Sequence, residues 1–176
     1  MGSSLTIHTI GHSTQTFEDF VRILKAYEID ALVDIRTVPK SRRHPQFHRD
    51  NLEASLPDHG ITYHHIAALG GLRHASKESP NTGWRNASFR GYADHMATPE
   101  FAAGLDQLLA IADDHATAIM CAEAVPWRCH RSLVGDALLV RGVDVVDIYD
   151  ERKAQPERLT SFAVVDGQGL TYPAQT

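Results

Sequence analysis

Five short apolar runs, residues 5–10, 31–36, 61–66, 117–122 and 143–149, recur along the chain with helix-patterned or polar stretches between them. Runs this short, bounded by polar turn residues, are the pattern of strands buried on both faces, and parallel neighbours need long crossovers that helices supply. Repeated strand–helix alternation folds as an α/β protein with an open, mainly parallel, five-stranded doubly wound sheet and helices on both faces. Five such units do not close an eight-stranded barrel. The expected strand order is roughly 3-2-1-4-5.

Local signals place the helices. Phe17, Phe20, Val21, Leu24 and Tyr27 recur at helical spacing, with Thr16 as the cap and Asp19 three residues on. Residues 50–59 predict a helix closed by Gly60, residues 92–96 and 99–113 two more with Pro99 in a first turn, and residues 132–140 a last one ended by Gly142. Residues 67–88 carry Gly70-Gly71, Pro80 and Gly83 without a sustained period, which reads as a functional loop or lid. Past Asp150, two short apolar runs flank Asp166-Gly167-Gln168-Gly169 and predict a C-terminal hairpin. The expected organisation is a single α/β domain over residues 5–150 and a C-terminal extension over 151–176.

At 176 residues and 43 % hydrophobic composition the chain supports one sizeable core. Its formal net charge of -5 supplies no global field for nucleic acid or an anionic membrane, so any phosphate contact rests on a local patch. No run approaches the roughly 20 apolar residues of a membrane span, and the start shows no signal-peptide pattern. A cytoplasmic protein with no membrane partner is expected; Met1 to Ser4 are set aside from the fold argument. The two cysteines, Cys121 and Cys129, lie eight apart and predict free thiols or one reversible pair rather than a disulfide scaffold.

Ligands of open parallel sheets bind outside the C-terminal strand ends, at the switch point. Those ends carry Gly11, His12 and Ser13, then Asp34 and Arg36, then Cys121 and Glu123, while the last helix begins at Cys129, His130 and Arg131. The set contains a nucleophile, proton-handling groups and cations, as a reaction on an anionic substrate requires. Cys121, Glu123, Cys129, His130 and His12 are therefore candidate catalytic residues, and Gly11, Ser13, Asp34, Arg36, Arg42 and Arg131 candidate ligand-binding ones. A helix N-terminus or nearby cation lowers a thiol's pKa; position along the chain favours Cys129 for that effect and Cys121 for rigidity. Each residue also has a structural reading: Cys121 as packed core, Cys129 to Arg131 as a solvated first turn, Asp34 and Arg36 as a mutual pair, His12 as a satisfied turn residue.

The segment Arg36, Lys40, Arg42, Arg43, His44, Phe47, His48, Arg49 interleaves cations with one aromatic, which suits phosphate and a stacked base, or else a solvated loop. His64, His65 and His74 lack metal-ligand spacing. The chain has no G-x-G-x-x-G after its first strand, no P-loop and no C-x-x-C, and it lacks the zinc deaminase signature. The interval from Cys121 to Arg128 is one residue too long for the cradle of cysteine phosphatases.

The motifs taken together resemble those of the domain of unknown function 488 family: Thr9-Ile10-Gly11-His12-Ser13, Val33-Asp34-Ile35-Arg36 with Pro39 and Ser41-Arg42, Leu69-Gly70-Gly71, Tyr92, Cys121-Ala122-Glu123 and Cys129-His130-Arg131. The resemblance spans about residues 6–149 and implies a compact α/β domain with its site at these positions. It adds Tyr92 to the candidate ligand-binding residues and implies no particular reaction.

Three functions follow. The first is a cysteine-dependent transferase or hydrolase acting on an anionic, phosphate-bearing ligand, such as a nucleotide or nucleic-acid end, held by Arg36, Arg42 and Arg131. The second is a protein binding zinc or iron through Cys121, Cys129 and His130, with Glu123 or His12 as a further ligand. The third is a noncatalytic nucleic-acid-binding module that uses residues 40–49.

Overall fold

The computed structural model describes residues 5–71, 73–167 and 169–174. Its main sheet contains β1 (Thr6–Gly11), β2 (Ala31–Asp34), β3 (Thr62–His65), β4 (Thr117–Cys121), β5 (Asp144–Ile148) and β6 (Ala154–Pro156). The first five strands run parallel, and β6 pairs antiparallel with β5 at the edge. The α/β class and the mainly parallel doubly wound sheet are as the sequence predicts. So is the hairpin, formed by β7 (Val164–Asp166) and β8 (Gly169–Thr171); Gln168 and Met1 to Ser4 lie outside the described residues.

The observed order is β3-β2-β4-β1-β5-β6, so β4 lies between β2 and β1 instead of beyond β1. Burial accounts for the exchange. Every residue of β4 and β2 is buried, whereas β1 alternates at its start, and the strands apolar on both sides take the centre of the sheet. The exchange puts Cys121 in register with Gly11 on one side and Met120 in register with Asp34 on the other.

Helices α1 (Phe17–Ala26) and α2 (Arg49–Ser55) cover one face, where Phe20, Leu24 and Leu52 pack on Ile10, Leu32 and Met120. Helices α3 (Ala87–His95), α4 (Pro99–Asp114) and α5 (Arg131–Val140) belong to the other, where Tyr92, Leu105, Leu108 and Leu133 pack on Val33, Ile119 and Val145. Thr16 caps α1 by accepting from the Asp19 amide, and Thr98 caps α4 ahead of Pro99. Residues 67–88, read as a loop or lid, end in the first turn of α3 and are otherwise pinned to that helix in the described part: Asp94 accepts from the Ser76 amide, the Ser79 hydroxyl and Asn81 Nδ2. Tyr172, beyond the hairpin, is fully buried in the core of the α3–α5 face.

Candidate functional site

Side chains alternate along a strand, so Ala118 and Met120 face α1 and α2 while Ile119 and Cys121 face α5. After β4 the chain passes Ala122 to Val125, makes a single 3-10 turn at Pro126–Arg128, and begins α5 at Arg131 with His130 as its cap. The first helical side chain therefore reaches back over the strand it has just left. Arg131 is fully buried and donates from Nη1 to Cys121 Sγ at 3.0 Å and to the Glu123 carbonyl at 2.7 Å, and from Nη2 to the Ala124 carbonyl at 3.3 Å. Its backbone amide donates to Cys129 Sγ at 3.4 Å. One residue thus holds both sulfurs.

Gly11 makes this approach possible. A Cβ there would sit 1.5 Å from the Glu123 carbonyl oxygen and 2.6 Å from Arg131 Nη1. The glycine expected to contact ligand instead lets β1 run against the turn that follows β4. The zipper continues through His12 and Ser13, whose amides donate to the Cys121 and Ala122 carbonyls at 2.9 and 3.0 Å. Ser13 pays for the path with a left-handed backbone at φ 48°.

The electrostatics separate the two thiols. Burial opposes ionisation of Cys121, but the Cys129 thiol, the Arg131 charge and the Glu123 backbone outweigh it and hold Cys121 below the ordinary thiol value. Cys129 moves the other way, raised well above that value by burial and by the neighbouring Cys121 sulfur. The sequence reading favoured Cys129 for the lowered value. The structure points the other way, because the Cys129 thiol and then the Arg131 guanidinium favour ionisation of Cys121, whereas burial dominates at Cys129.

His130 presents Nε2 to the Ile35 carbonyl at 2.8 Å, which requires the proton on Nε2 and leaves Nδ1, 3.5 Å from Cys129 Sγ, as the acceptor of the neutral ring. Burial lowers its pKa to about 4. Gly71 seats the ring, since a Cβ there would lie 2.6 Å from Nδ1. Tyr92, in turn, is fully buried, donates to the Leu69 carbonyl at 2.9 Å and packs its ring 4.9 Å from that of His130. It supports the site from within the core and does not line the crevice.

Asp34 and Arg36 form the mutual pair that was one of their two readings. Arg36 Nε and Nη2 donate to the two Asp34 oxygens at 2.9 and 2.7 Å, and Nη2 also donates to the Phe47 carbonyl at 2.7 Å. Tyr63 donates its hydroxyl to Asp34 at 2.5 Å. His12 gives its Nδ1 proton to the Ser13 carbonyl at 2.9 Å, stacks on Phe47 at 4.4 Å, and faces Arg36 Nη1 with Nε2 at 3.4 Å. Burial lowers the His12 pKa to about 4. Of the five guanidinium N–H groups of Arg36, these contacts leave one. Phe47, read as a base-stacking aromatic, is fully buried.

Two crevices open at this edge. The first, of about 460 Å³, is lined by Cys121, Cys129, His130 and Glu123 together with Arg36, Lys40 and Arg128. The second, of about 440 Å³, is lined by His12, Ser13, Arg42, Arg43 and His44, and shares Ala122 and Glu123 with the first. Glu123 is exposed where the two meet. Arg131 lines neither, so it acts behind Cys121. Lys40 and Arg128 line the first crevice although the sequence reading gave neither a catalytic role; Arg128 was legible only as part of the cysteine segment. Among the described residues no group of three or more His, Cys, Asp or Glu side chains is arranged to hold a metal ion. Both cysteines are free and buried.

The fold and this edge define an α/β protein with a buried thiol–guanidinium pair at the C-terminal ends of a parallel sheet. The family Domain of unknown function DUF488 matches residues 16–138 of the 176-residue chain, and the chain belongs to that family. The matched stretch contains the Asp34–Arg36, Leu69–Gly71, Cys121–Glu123 and Cys129–Arg131 motifs, while Thr9 to Ser13 and β5 lie outside it. No curated protein and no solved structure matches the chain. Among the described residues no helix is long and apolar enough to cross a membrane.

Proposed function

We propose that the protein is a thiol-dependent enzyme, a transferase or hydrolase, acting on an anionic, phosphate-bearing ligand such as a nucleotide or nucleic-acid end. The observation that carries this reading is the 3.0 Å contact between buried Arg131 Nη1 and Cys121 Sγ at the head of a crevice bordered by Arg36, Lys40 and Arg128. A guanidinium removed from water favours the thiolate, which is the nucleophilic form. Lys40, Arg128 and the remaining N–H of Arg36 receive the anion, and exposed Glu123 handles protons beside the sulfur. Arg42 extends the cationic lining into the second crevice. Two free thiols this near one another suit the reducing cytoplasm, where we place the protein.

The test is protection of Cys121 from iodoacetamide, followed by peptide mass spectrometry at constant ionic strength. Inorganic phosphate or a nucleoside monophosphate slows alkylation, and the protection weakens several-fold in a Lys40→Ala/Arg128→Ala double variant. Equal alkylation with and without both ligands contradicts the reading.

The second crevice, lined by Arg42, Arg43 and His44, favours one further reading, a noncatalytic nucleic-acid-binding surface. Single-stranded DNA binding that falls steeply with salt and with Arg42→Ala/Arg43→Ala, but is indifferent to Cys121→Ser, would favour it over the enzyme.

A further inference from the structure

Arg131 contacts both sulfurs of the chain, Cys121 through Nη1 at 3.0 Å and Cys129 through its backbone amide at 3.4 Å, and both cysteines line the same crevice. Cys129 Sγ also lies 3.5 Å from His130 Nδ1, whose lone pair is fixed toward it because Nε2 is committed to the Ile35 carbonyl. The proposed nucleophile therefore has a second thiol and a base beside it. The mechanism above uses neither.

We propose that Cys121 is an oxidation site for hydroperoxides and that Cys129 is its resolving thiol, closing a reversible Cys121–Cys129 disulfide with His130 as the base; this rests on the reading of Cys121 as a thiolate. In the first step the Cys121 thiolate attacks one peroxide oxygen, the O–O bond breaks, and the oxygen that leaves takes up the proton that Cys121 gave to solvent on ionising. Cys121 is oxidised to the sulfenic acid and the peroxide is reduced. In the second step the Cys129 sulfur attacks the Cys121 sulfur, the S–O bond breaks, the S–S bond forms, and water leaves. The Cys129 proton reaches the leaving hydroxyl by way of His130 Nδ1.

The order of events is built into the site. While Cys121 is a thiolate, its charge adds to burial in holding the proton on Cys129. Conversion to the neutral sulfenic acid removes that charge, which eases transfer of the Cys129 proton by way of His130. With Cys121 only 1 % exposed, a small oxidant suits the site better than a bulky disulfide.

The experiment treats the full-length reduced protein with hydrogen peroxide and reads thiols and disulfide by intact and peptide mass spectrometry. The wild type forms one internal Cys121–Cys129 disulfide, restored to two thiols by dithiothreitol. Cys129→Ser instead accumulates a dimedone-reactive sulfenic acid on residue 121, and His130→Gln slows disulfide closure without slowing the peroxide step. Peroxide treatment that leaves wild-type Cys121 readily alkylated and no disulfide overturns this inference while sparing the thiolate reading. A Cys121 inert to both iodoacetamide and peroxide overturns both. The wild-type measurement decides the matter even if a variant fails to fold.

Discussion

Arg131 is fully buried with Nη1 3.0 Å from the Cys121 sulfur, and among the described residues no carboxylate hydrogen-bonds to it. Its Nε finds no hydrogen-bond partner among the described residues. A buried charge without a counter-charge is costly. The Cys121 sulfur stands against that charge, and the Asp147 carboxyl also feels it.

Gly11→Ala tests whether the approach of β1 to the following turn holds this arrangement. The added methyl would meet the Glu123 carbonyl oxygen at 1.5 Å and Arg131 Nη1 at 2.6 Å, so the turn must move. Overpacking of this kind costs about 1–3 kcal/mol. Urea unfolding should show that loss, and Cys121 should become a weaker nucleophile in the folded variant. An unchanged midpoint in urea would mean the turn is free to shift.

His130 makes a prediction about pH. Its folded value is lowered to about 4, below the unfolded value of about 6.5. Between those values the unfolded chain binds a proton that the native state refuses, so the contribution is complete above pH ~6.5 and is lost as pH falls toward about 4. His130→Gln keeps a donor for the Ile35 carbonyl and removes the titration. Its stability should depend on pH less steeply than that of the wild type in this window, by up to about 1.4 kcal/mol per unit. Parallel curves from urea titrations would contradict it.

Glu157 has the opposite sign. Its carboxyl oxygens are buried, and burial first, then the charges of Asp147 and Asp136, raises its pKa to about 10. The contribution is present below the unfolded value of about 4.3 and is lost as pH rises through the range up to about 10. Glu157→Gln should therefore stabilise the protein by about 1–3 kcal/mol at pH ~8, with the gain vanishing toward pH ~4. Thermal unfolding at the two pH values checks it; a loss of stability at the higher one would show Glu157 ionised in the native state.

The five parallel strands were legible because each is a short apolar run between polar turns, and α1 and α4 because Thr16 and Pro99 mark the starts of their helical patterns. The order of β4 and β1 was not, since both runs are apolar and only packing decides which lies against β2. β6 left no signal: Ala154–Pro156 is three residues long and ends in proline, a pattern confined to sheet edges. That the strand ends bring Cys121, Glu123, His12 and Arg36 to one edge of the sheet was readable from the sequence. Which thiol is shifted down was not, because it depends on the neighbouring thiol and on Arg131 reaching back to β4 rather than outward to a ligand. The bidentate pairing of Arg36 with Asp34, which commits most of the guanidinium's donors, was one of two readings the sequence left open.

The most direct measurement is the pH titration of thiolate ultraviolet absorbance in the wild type, corrected by the Cys121→Ser variant and repeated in Arg131→Met. A Cys121 midpoint below the ordinary thiol value of about 8.5, moving up by about one unit or more without the guanidinium, is the predicted result. A midpoint at or above that value, unmoved by Arg131→Met, would contradict the account.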